Sequence, residues 1–233
     1  MSEGDSTMKI AVLGTGTVGQ AVAGKLAELG HEVTVGTRDV ESTLARTEPD
    51  GYGSPPYAVW ARAHPAVGLA SFAQAAAAAE LVVNATAGGV AIEVLHAAGA
   101  DNLAGKVLID IANPLDHSQG MPPTLFVKDT DSLGERIQRE FPGTRVVKTL
   151  NIVNANVMVN PRQVADGDHT MFVSGNDTEA KRAVTGLLES FGHTDVIDLG
   201  DISTARGTEM MLPIWVRLWD ALGTPMFAFK IVR

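Results

Sequence analysis

Residues 9–38, KIAVLGTGTVGQAVAGKLAELGHEVTVGTR, contain the pattern that decides the fold of this 233-residue chain. An apolar run over 9–13 leads into a glycine turn, which is followed by a segment with apolar residues at helical spacing and by a second β-branched run. A strand, a glycine turn, a helix and a parallel strand within about 30 residues form the mononucleotide-binding unit. The stretch therefore predicts a dinucleotide-binding site rather than a purely structural turn.

Each glycine of the turn has a separate expected role. Gly14 is expected to make the tight turn, Gly16 to let the backbone approach a pyrophosphate, and Gly19 to let helix and strand pack closely. The N-terminus of the helix that follows would offer N–H groups and a partial positive charge to the phosphates. These roles predict that the turn binds the pyrophosphate of the dinucleotide.

The end of the second strand indicates which dinucleotide is bound. NAD-binding units place an acidic residue about 20 residues after the glycines, where it holds the ribose 2′-OH. Here the strand ends in Gly36-Thr37-Arg38, and the first acid is Asp39. A hydroxyl and a guanidinium can donate to a 2′-phosphate, which a carboxylate would repel. The pattern favours NADP over NAD, with Arg38 as a solvated surface arginine the alternative.

Composition excludes several classes of protein and of site. Apolar residues make up 45% of the chain and charged residues 19%, which is typical of a globular protein. The formal net charge of −9 argues against nucleic acid and anionic membrane surfaces as partners. The sequence contains no cysteine, so disulfides and thiolate chemistry are excluded, and no histidine or carboxylate pairing predicts a metal site. It has no run of 18 apolar residues and starts with polar residues, so we expect a cytoplasmic location.

Alternating strand and helix patterns over the first 150 residues predict an α/β fold with a Rossmann-type doubly wound parallel sheet. The expected domain covers residues 8–150, with central strands near 81–84, 107–110 and 145–150. Residues 151–233 are expected to form a small C-terminal α/β lobe that completes the acceptor cleft. In this lobe we predict strands at 169–173 and 195–199, a helix to residue 191, a long helix over 204–222, and a strand or extended tail over 226–232.

Ligands of such sheets bind at the carboxyl ends of the strands, which here lead into loops 85–89, 111–115 and 151–156. None of the six histidines falls in these loops, and both tyrosines, Tyr52 and Tyr57, lie in a proline-rich stretch. Either the general acid or base is not recognisable from the sequence, or the reaction needs none. The second alternative fits an acceptor that is itself a redox cofactor, such as a flavin or a deazaflavin, where geometry does most of the work.

Several motifs resemble one known family. They are MKIAVLGTGTVG at 8–19, GTR at 36–38, DIANPLD at 110–116, VVKTLNIVNANVM at 146–158 and FAFKIVR at the end of the chain. With them the chain resembles the NADP-dependent oxidoreductases of the coenzyme F-420 (F420) family, the NADPH:deazaflavin reductases and their bacterial relatives. The resemblance implies NADP(H) and the deazaflavin coenzyme F-420 as the two redox partners, with hydride transfer between them and no catalytic residue.

The resemblance also implies the site residues. The NADP site would consist of Gly14, Thr15, Gly16, Thr17, Val18 and Gly19 at the pyrophosphate, Thr37 and Arg38 at the 2′-phosphate, Ala85, Thr86 and Ala87 along the ribose and nicotinamide, and Asn113, Pro114 and Ala155 beside the nicotinamide. The acceptor would stack near Asn151, Ile152, Val153, Asn154, Met226 and Phe227. Archaeal members have histidine and proline where this chain has Asn151 and Asn154, so the acceptor is less well defined than NADP.

Three other functions remain open. The first is an NADP dehydrogenase of a small substrate, although β-hydroxyacid dehydrogenases have a catalytic lysine and a long all-helical C-terminal domain, whereas the 83 residues of 151–233 have a mixed pattern. The second is a flavin or ferric reductase on the same scaffold. The third is a non-enzymatic NADP sensor. The apolar segment 210–219 favours core, a dimer interface or a wall of the acceptor site, and we expect a homodimer.

Overall fold

The computed structural model describes residues 7–49 and 55–233. The strands are β1 (Lys9–Leu13), β2 (Glu32–Thr37), β3 (Gly68–Ser71), β4 (Leu81–Asn84), β5 (Val107–Asp110), β6 (Leu115–Asp116), β7 (Thr124–Leu125), β8 (Arg145–Lys148), β9 (Thr170–Gly175) and β10 (Asp195–Asp198). The α-helices are α1 (Thr17–Glu28), α2 (Val40–Ala45), α3 (Tyr57–Ala63), α4 (Phe72–Ala78), α5 (Ala91–Ala98), α6 (Ala100–Leu103), α7 (Leu133–Glu140), α8 (Ala155–Val159), α9 (Thr178–Phe191), α10 (Ala205–Met210) and α11 (Leu212–Leu222). Tyr52 lies outside the described residues.

Within the described residues, eight strands form one sheet in the order β10-β9-β8-β5-β4-β1-β2-β3. The strands from β3 to β8 in this order are all parallel. Their order is that of doubly wound dinucleotide-binding sheets. The predicted α/β fold with a Rossmann-type sheet is therefore confirmed.

Both faces of the sheet are covered, as a parallel sheet requires. Ile10 and Val12 of β1 belong to one buried apolar cluster, and Ala11 and Leu13 belong to another. Alternate residues of a strand point to opposite faces, so the two clusters are the two layers of core between sheet and helices. No helix in the described part of the chain is long and apolar enough to cross a membrane.

The polar residues that precede the helices explain where several of them begin. Ser71 and Gln74 form a reciprocal capping box at the start of α4, and the side chains of Ser132 and Asp177 accept from backbone N–H groups of α7 and α9. Such caps satisfy amide groups that have no partner inside the helix. Gly192 ends α9 in the left-handed region, at φ 104°.

The C-terminal segment contributes its two strands to the same sheet. β9 pairs antiparallel with β8, and β10 pairs parallel with β9. After α11 the chain returns to the sheet, where the Thr170 amide donates to the Phe229 carbonyl at 2.8 Å and the Ile231 amide donates to Thr170 Oγ1 at 3.0 Å. A division of the chain into domains at residue 150 stays a prediction.

Two predicted elements differ from the structure. The long helix over 204–222 is two helices, because Pro213 has no amide hydrogen and its ring would clash with the carbonyl of Glu209 in a continuous helix. The strand over 145–150 ends at Lys148, since Leu150 adopts a left-handed backbone with φ 61°. Of the two alternatives for residues 226–232, the strand is not formed.

Candidate functional site

The glycine turn between β1 and α1 is packed tightly at two of its three glycines. Gly14 has φ 121°, and a Cβ there would lie 2.7 Å from the Ala85 carbonyl oxygen. A Cβ at Gly19 would lie 2.0 Å from the carbonyl oxygen of Gly14, so helix and turn touch through backbone atoms. A Cβ at Gly16 would meet no atom of residues 7–49 and 55–233 within 4 Å. Gly14 thus makes a turn with positive φ and Gly19 packs on the backbone of Gly14, whereas the role of the turn in binding a cofactor stays a prediction.

The space at Gly16 lies at the N-terminus of α1. Gly16 is the N-cap residue of α1, no side chain of the described residues caps Gly16, and the first turn contains no acidic residue. The turn is held in place by Gln20, whose amide Nε2 donates to the Thr15 carbonyl at 2.9 Å and to the Pro55 carbonyl at 3.2 Å. A helix that begins at a glycine, with no side-chain cap on Gly16 among the described residues, fits a pyrophosphate.

Thr37 and Arg38 at the end of β2 differ in what they can offer a 2′-phosphate. The Thr43 hydroxyl donates its single proton to the Asp39 carbonyl at 2.7 Å, so Thr37 is the donor in the 2.7 Å hydroxyl pair with Thr43. Thr37 is buried and has no proton left for a phosphate oxygen in this arrangement. Arg38 is exposed and, within residues 7–49 and 55–233, has no ion pair or hydrogen bond. The carboxylate of Asp39 accepts from the Ser42 amide as the cap of α2.

The carboxyl ends of the neighbouring strands β4 and β5 are joined by a chain of polar side chains. Thr86 Oγ1 donates to Asn84 Oδ1 at 2.6 Å, and Asn84 Nδ2 donates to Asp110 Oδ1 at 2.8 Å. The two loops that follow these strands also touch, since a Cβ at Gly88 would lie 2.0 Å from the Asn113 carbonyl oxygen. The predicted nicotinamide-side residues Thr86 and Asn113 are therefore held on one packed edge of the sheet.

Behind this edge lies a buried ion cluster of Lys148, Asp110 and Glu209. Lys148 Nζ lies 2.8 Å from Asp110 Oδ2 and 2.9 Å from Glu209 Oε1, and it also donates to the Ala112 carbonyl. All three side chains are at most 2% exposed. Burial alone lowers the pKa of Lys148, but the two carboxylates outweigh it, so the pKa lies above that of an ordinary lysine. The lysine is charged at neutral pH.

Asn151 joins the loop after β8 to the loop after β5. Its Nδ2 donates to Asn113 Oδ1 at 3.0 Å and to the Thr208 carbonyl at 3.1 Å, while Asn113 Nδ2 donates to the Asn151 carbonyl at 2.9 Å. Among the residues predicted to contact the acceptor, Asn151, Ile152 and Val153 are buried. The others are partly exposed: Asn154, Met226 and Phe227.

The remaining predicted site residues fall on the same edge or on the tail. Ala85 is half-buried, Ala87 is exposed, and Pro114 and Ala155 are buried. Because β9 is antiparallel to β8, its amino end lies at the edge where the parallel strands have their carboxyl ends. The tail pairs with this amino end through Thr170, and the ring of Phe227 packs against Trp215 of α11 at 5.3 Å. This places the tail on the side of the sheet where cofactors bind.

Sequence reasoning missed Lys148, Asp110 and Glu209 as parts of this edge. One signal was available, because a lysine that ends an apolar strand must be paired if it is buried. Its partner Glu209 lies on helix α10, 61 positions later in the sequence. No local sequence pattern predicts a contact over that separation.

The edge suits hydride transfer better than acid–base chemistry. The loops 85–89, 111–115 and 151–156 contain no titratable side chain. The buried cluster behind them is satisfied internally and has no exposed proton donor. Among residues 7–49 and 55–233, no group of three histidines or carboxylates could hold a metal ion.

Comparison with known proteins identifies the family. Residues 9–114 match the family model described as NADP oxidoreductase coenzyme F420-dependent. The F420-dependent NADP reductase of Methanothermobacter thermautotrophicus is 30% identical over 215 residues, which cover 91% of this chain and 89% of that protein. A crystal structure from Arthrobacter sp. FB24, described as a candidate F420-dependent NADP-reductase, is 65% identical with a TM-score of 0.94 and covers 97% of this chain and all of that one.

A further relative has a different printed activity. Metalloreductase STEAP3 of Rattus norvegicus is 27% identical over 237 residues, which cover 97% of this chain. The chain spans only 42% of the length of that metalloreductase. Family, fold and the dinucleotide-binding edge agree, so the chain belongs to the coenzyme F420-dependent NADP oxidoreductase family and is an NADP-dependent oxidoreductase with NADP(H) as its cofactor.

Proposed function

We propose that this oxidoreductase transfers a hydride between NADP(H) and the deazaflavin coenzyme F420. The names of the family and of the methanogen relatives support F420 as the acceptor. When NADPH reduces F420, the nicotinamide gives up a hydride, and F420 takes up that hydride together with a proton from water. The proposal includes the expected division of labour, with residues 8–150 binding NADP and residues 151–233 completing the acceptor cleft.

The observation that carries the proposal is that, among the described residues, the three loops at the carboxyl ends of the strands contain no proton-transfer group. The three loops contain no titratable side chain, and the two buried carboxylates behind them, Asp110 and Glu209, share one buried lysine. A carbonyl or imine substrate needs a proton donor at the reacting atom. A planar redox cofactor needs the two rings to be held in register and water to be kept out.

The proposed NADP contacts follow from the geometry of the site. The space at Gly16, which no described atom fills within 4 Å of a Cβ there, and the N-terminus of α1 would take the pyrophosphate. Arg38 would pair with the 2′-phosphate, since it is exposed and has no ion pair within the described residues. Thr86 and Asn113 would border the ribose and nicotinamide, while the half-buried Met226 and Phe227 of the tail would line the acceptor side.

A flavin or ferric reductase is the second candidate. It is favoured by the similarity to a metalloreductase over nearly the whole of this chain. Such an activity would use the same NADP site and the same edge, so only the acceptor distinguishes the two candidates.

A steady-state assay with purified protein tests the proposal. NADPH is offered with oxidised F420, with flavin mononucleotide and with a ferric chelate in parallel, and the loss of the visible band of F420 is followed directly. We expect turnover with F420 that is at least tenfold faster than with the other two acceptors. Faster turnover with the flavin or the ferric chelate would replace the proposal by the second candidate, and firm NADPH binding without any turnover would favour an NADP sensor.

The assay has a matched control within the chain. Arg38→Ala should weaken the binding of NADPH, because the arginine contacts the nucleotide. At low NADPH concentration it should therefore slow the reduction of all three acceptors to the same extent. A variant in the tail, Phe227→Ala, should change the preference among acceptors and leave NADPH affinity unaltered. If Phe227→Ala leaves the preference unaltered, the tail is not part of the acceptor site.

A homodimer is also part of the proposal. Met210, Ile214 and Leu222 on α10 and α11 are exposed apolar residues, and an interface between two copies would bury them. Light scattering after size-exclusion chromatography measures the mass directly, and Ile214→Glu should shift it to that of a monomer. A cytoplasmic location stays a prediction, which cell fractionation of the expressed chain would test.

A further inference from the structure

Among the described residues, Lys148 is a buried cation that contacts one of the loops predicted to border the nicotinamide. Its ammonium group has three protons and contacts three acceptors, which are Asp110 Oδ2, Glu209 Oε1 and the Ala112 carbonyl oxygen. Its donor capacity is thus fully used. A buried lysine is costly unless it is paired, so the arrangement calls for a role beyond filling space.

The contact with Ala112 is the link to the cofactor site. The Ala112 carbonyl belongs to the peptide bond that leads into Asn113, one of the residues proposed to border the nicotinamide. The Ala112 amide is held as well, because it donates to Asp110 Oδ1 at 3.2 Å. On the far side, the Asn113 carbonyl packs directly against Gly88. The lysine and its aspartate therefore hold the peptide units on both sides of Ala112, immediately before Asn113.

Glu209 fixes the other side of the cluster. Its Oε1 accepts from the Gly134 amide at 3.0 Å and its Oε2 from the Leu133 amide at 2.8 Å, both in the first turn of α7. The preceding residue, Thr208, accepts from Asn151 through its carbonyl oxygen. Two successive residues of α10 are thus held, Thr208 by the loop after β8 and Glu209 by Lys148 of β8 and by the start of α7.

We propose that Lys148 is a positioning residue for the nicotinamide half of NADP(H), which acts by holding the Ala112–Asn113 peptide bond while Asp110 and Glu209 hold the lysine. This inference rests on the proposed placement of Asn113 beside the nicotinamide. It concerns binding of the cofactor and not the identity of the acceptor, so an unexpected acceptor in the turnover assay would leave it intact.

Binding of two ligands to the full chain tests the inference without any turnover. The first ligand is NADPH, and the second is 2′-phospho-ADP-ribose, which is the cofactor without its nicotinamide. Lys148→Met should raise the Kd of NADPH about tenfold, the effect of losing about one well-placed hydrogen bond. The Kd of 2′-phospho-ADP-ribose should change by no more than about twofold, because this ligand has no nicotinamide. A twofold change corresponds to a free energy no larger than that of a weak surface contact. A merely structural lysine would not separate the two ligands.

Lys181→Met is the matched control for loss of a buried lysine. Lys181 is buried and donates to Asp198 Oδ1 at 2.8 Å and to the Gly200 carbonyl at 2.9 Å, at the end of the edge strand β10. This variant should lower the melting temperature without changing the ratio of the two dissociation constants. Arg206→Met is a second control, because it cuts the bidentate pair between α10 and Glu135 and leaves Lys148 in place.

A further variant keeps the test valid if Lys148→Met does not fold. The double variant Lys148→Met with Glu209→Gln removes the lysine together with one of the two carboxylates that it contacts. It should show the same separation between NADPH and 2′-phospho-ADP-ribose. Equal losses for both ligands, no loss for either, or the same separation in Lys181→Met or Arg206→Met would overturn the proposal.

Discussion

Gly19 lies so close to Gly14 that a Cβ on Gly19 would stand 2.0 Å from the Gly14 carbonyl oxygen. Gly16, between them, meets no atom of the described residues at a Cβ position and has an ordinary extended backbone with φ −81°. The packing of the described residues therefore requires two glycines of the motif and does not require the third.

Alanine at each of these positions should separate folding from cofactor binding. Gly19→Ala forces the backbone of helix and turn apart, so the free energy of unfolding should fall by several kcal/mol, on the order of the largest core substitutions. Gly16→Ala should melt close to the wild-type temperature and yet bind NADPH at least about tenfold more weakly, since its methyl group occupies the approach to the helix N-terminus. Thermal melting and NADPH titration check both variants, and wild-type affinity in Gly16→Ala would place the pyrophosphate elsewhere.

Arg38→Ala should weaken NADPH binding and leave NADH binding nearly unchanged. A charge-assisted hydrogen bond to a phosphate contributes about 1.5–3 kcal/mol, which corresponds to roughly 10- to 150-fold in Kd. Thr37→Val should have a much smaller effect on the same ratio, because the Thr37 hydroxyl proton is donated to Thr43. Titration of both cofactors with both variants measures this, and a larger effect at Thr37 than at Arg38 would refute the assignment.

The main effect of Asn151→Ala should be a lower free energy of unfolding and not a change in acceptor binding. The variant leaves Asn113 Oδ1 and the Thr208 carbonyl without their donor, and an unpaired buried acceptor costs about 1–3 kcal/mol. Urea-induced unfolding measures the loss. Asn154→Ala is the matched control, since Asn154 is half-buried and its side chain caps α8, a contact worth about 1 kcal/mol. Equal losses in the two variants would mean that the buried amide contacts of Asn151 contribute no more than a helix cap.

The stability of the protein should fall in mild acid because of His193. Burial lowers the pKa of His193 from 6.5 to about 4, against the opposing effect of its hydrogen bond to the Met158 carbonyl. The unfolded chain then binds this proton more readily than the folded chain. The contribution of neutral His193 to the free energy of unfolding is complete above pH 6.5 and is lost as the pH falls towards 4. At 1.36 kcal/mol per pKa unit, this loss amounts to up to about 3 kcal/mol.

His193→Gln should flatten this pH dependence. The glutamine amide can still donate to the Met158 carbonyl, which His193 Nε2 contacts at 2.9 Å, but it does not titrate. Chemical denaturation at pH 7 and at pH 4.5 gives the free energy of unfolding of both proteins. Parallel losses in the wild type and the variant would show that His193 is not the group responsible.

The sequence predicted most of the sheet because its signals are local. The glycine turn, the apolar strands and the capping residues Ser71 and Asp177 each act within a few positions of the element that they define. The break at Pro213 was also local, but the apolar pattern on both sides of it resembled one helix. Tertiary geometry, and not composition, decided that the strands of the C-terminal segment continue the same sheet.

The candidate site was predictable only where one motif contains it. Residues 14–19 and 36–38 could be placed from their spacing alone. The contacts of Lys148 with Glu209, and of Asn151 with Thr208, join positions about 60 residues apart on elements whose relative arrangement the sequence does not encode locally. Burial of Asn151 follows from the same packing, which is why a position that the family resemblance assigns to the acceptor holds two loops together.

The pairing of β8 with β9 has a consequence for how the enzyme works. Backbone hydrogen bonds run without interruption from the nucleotide-binding strands to the last strand of the chain. The two parts of the chain therefore cannot move apart as rigid bodies without breaking this ladder of hydrogen bonds. If the proposed acceptor site is correct, we expect access to it to depend on movement of α11 and the tail, which are not strands of the sheet.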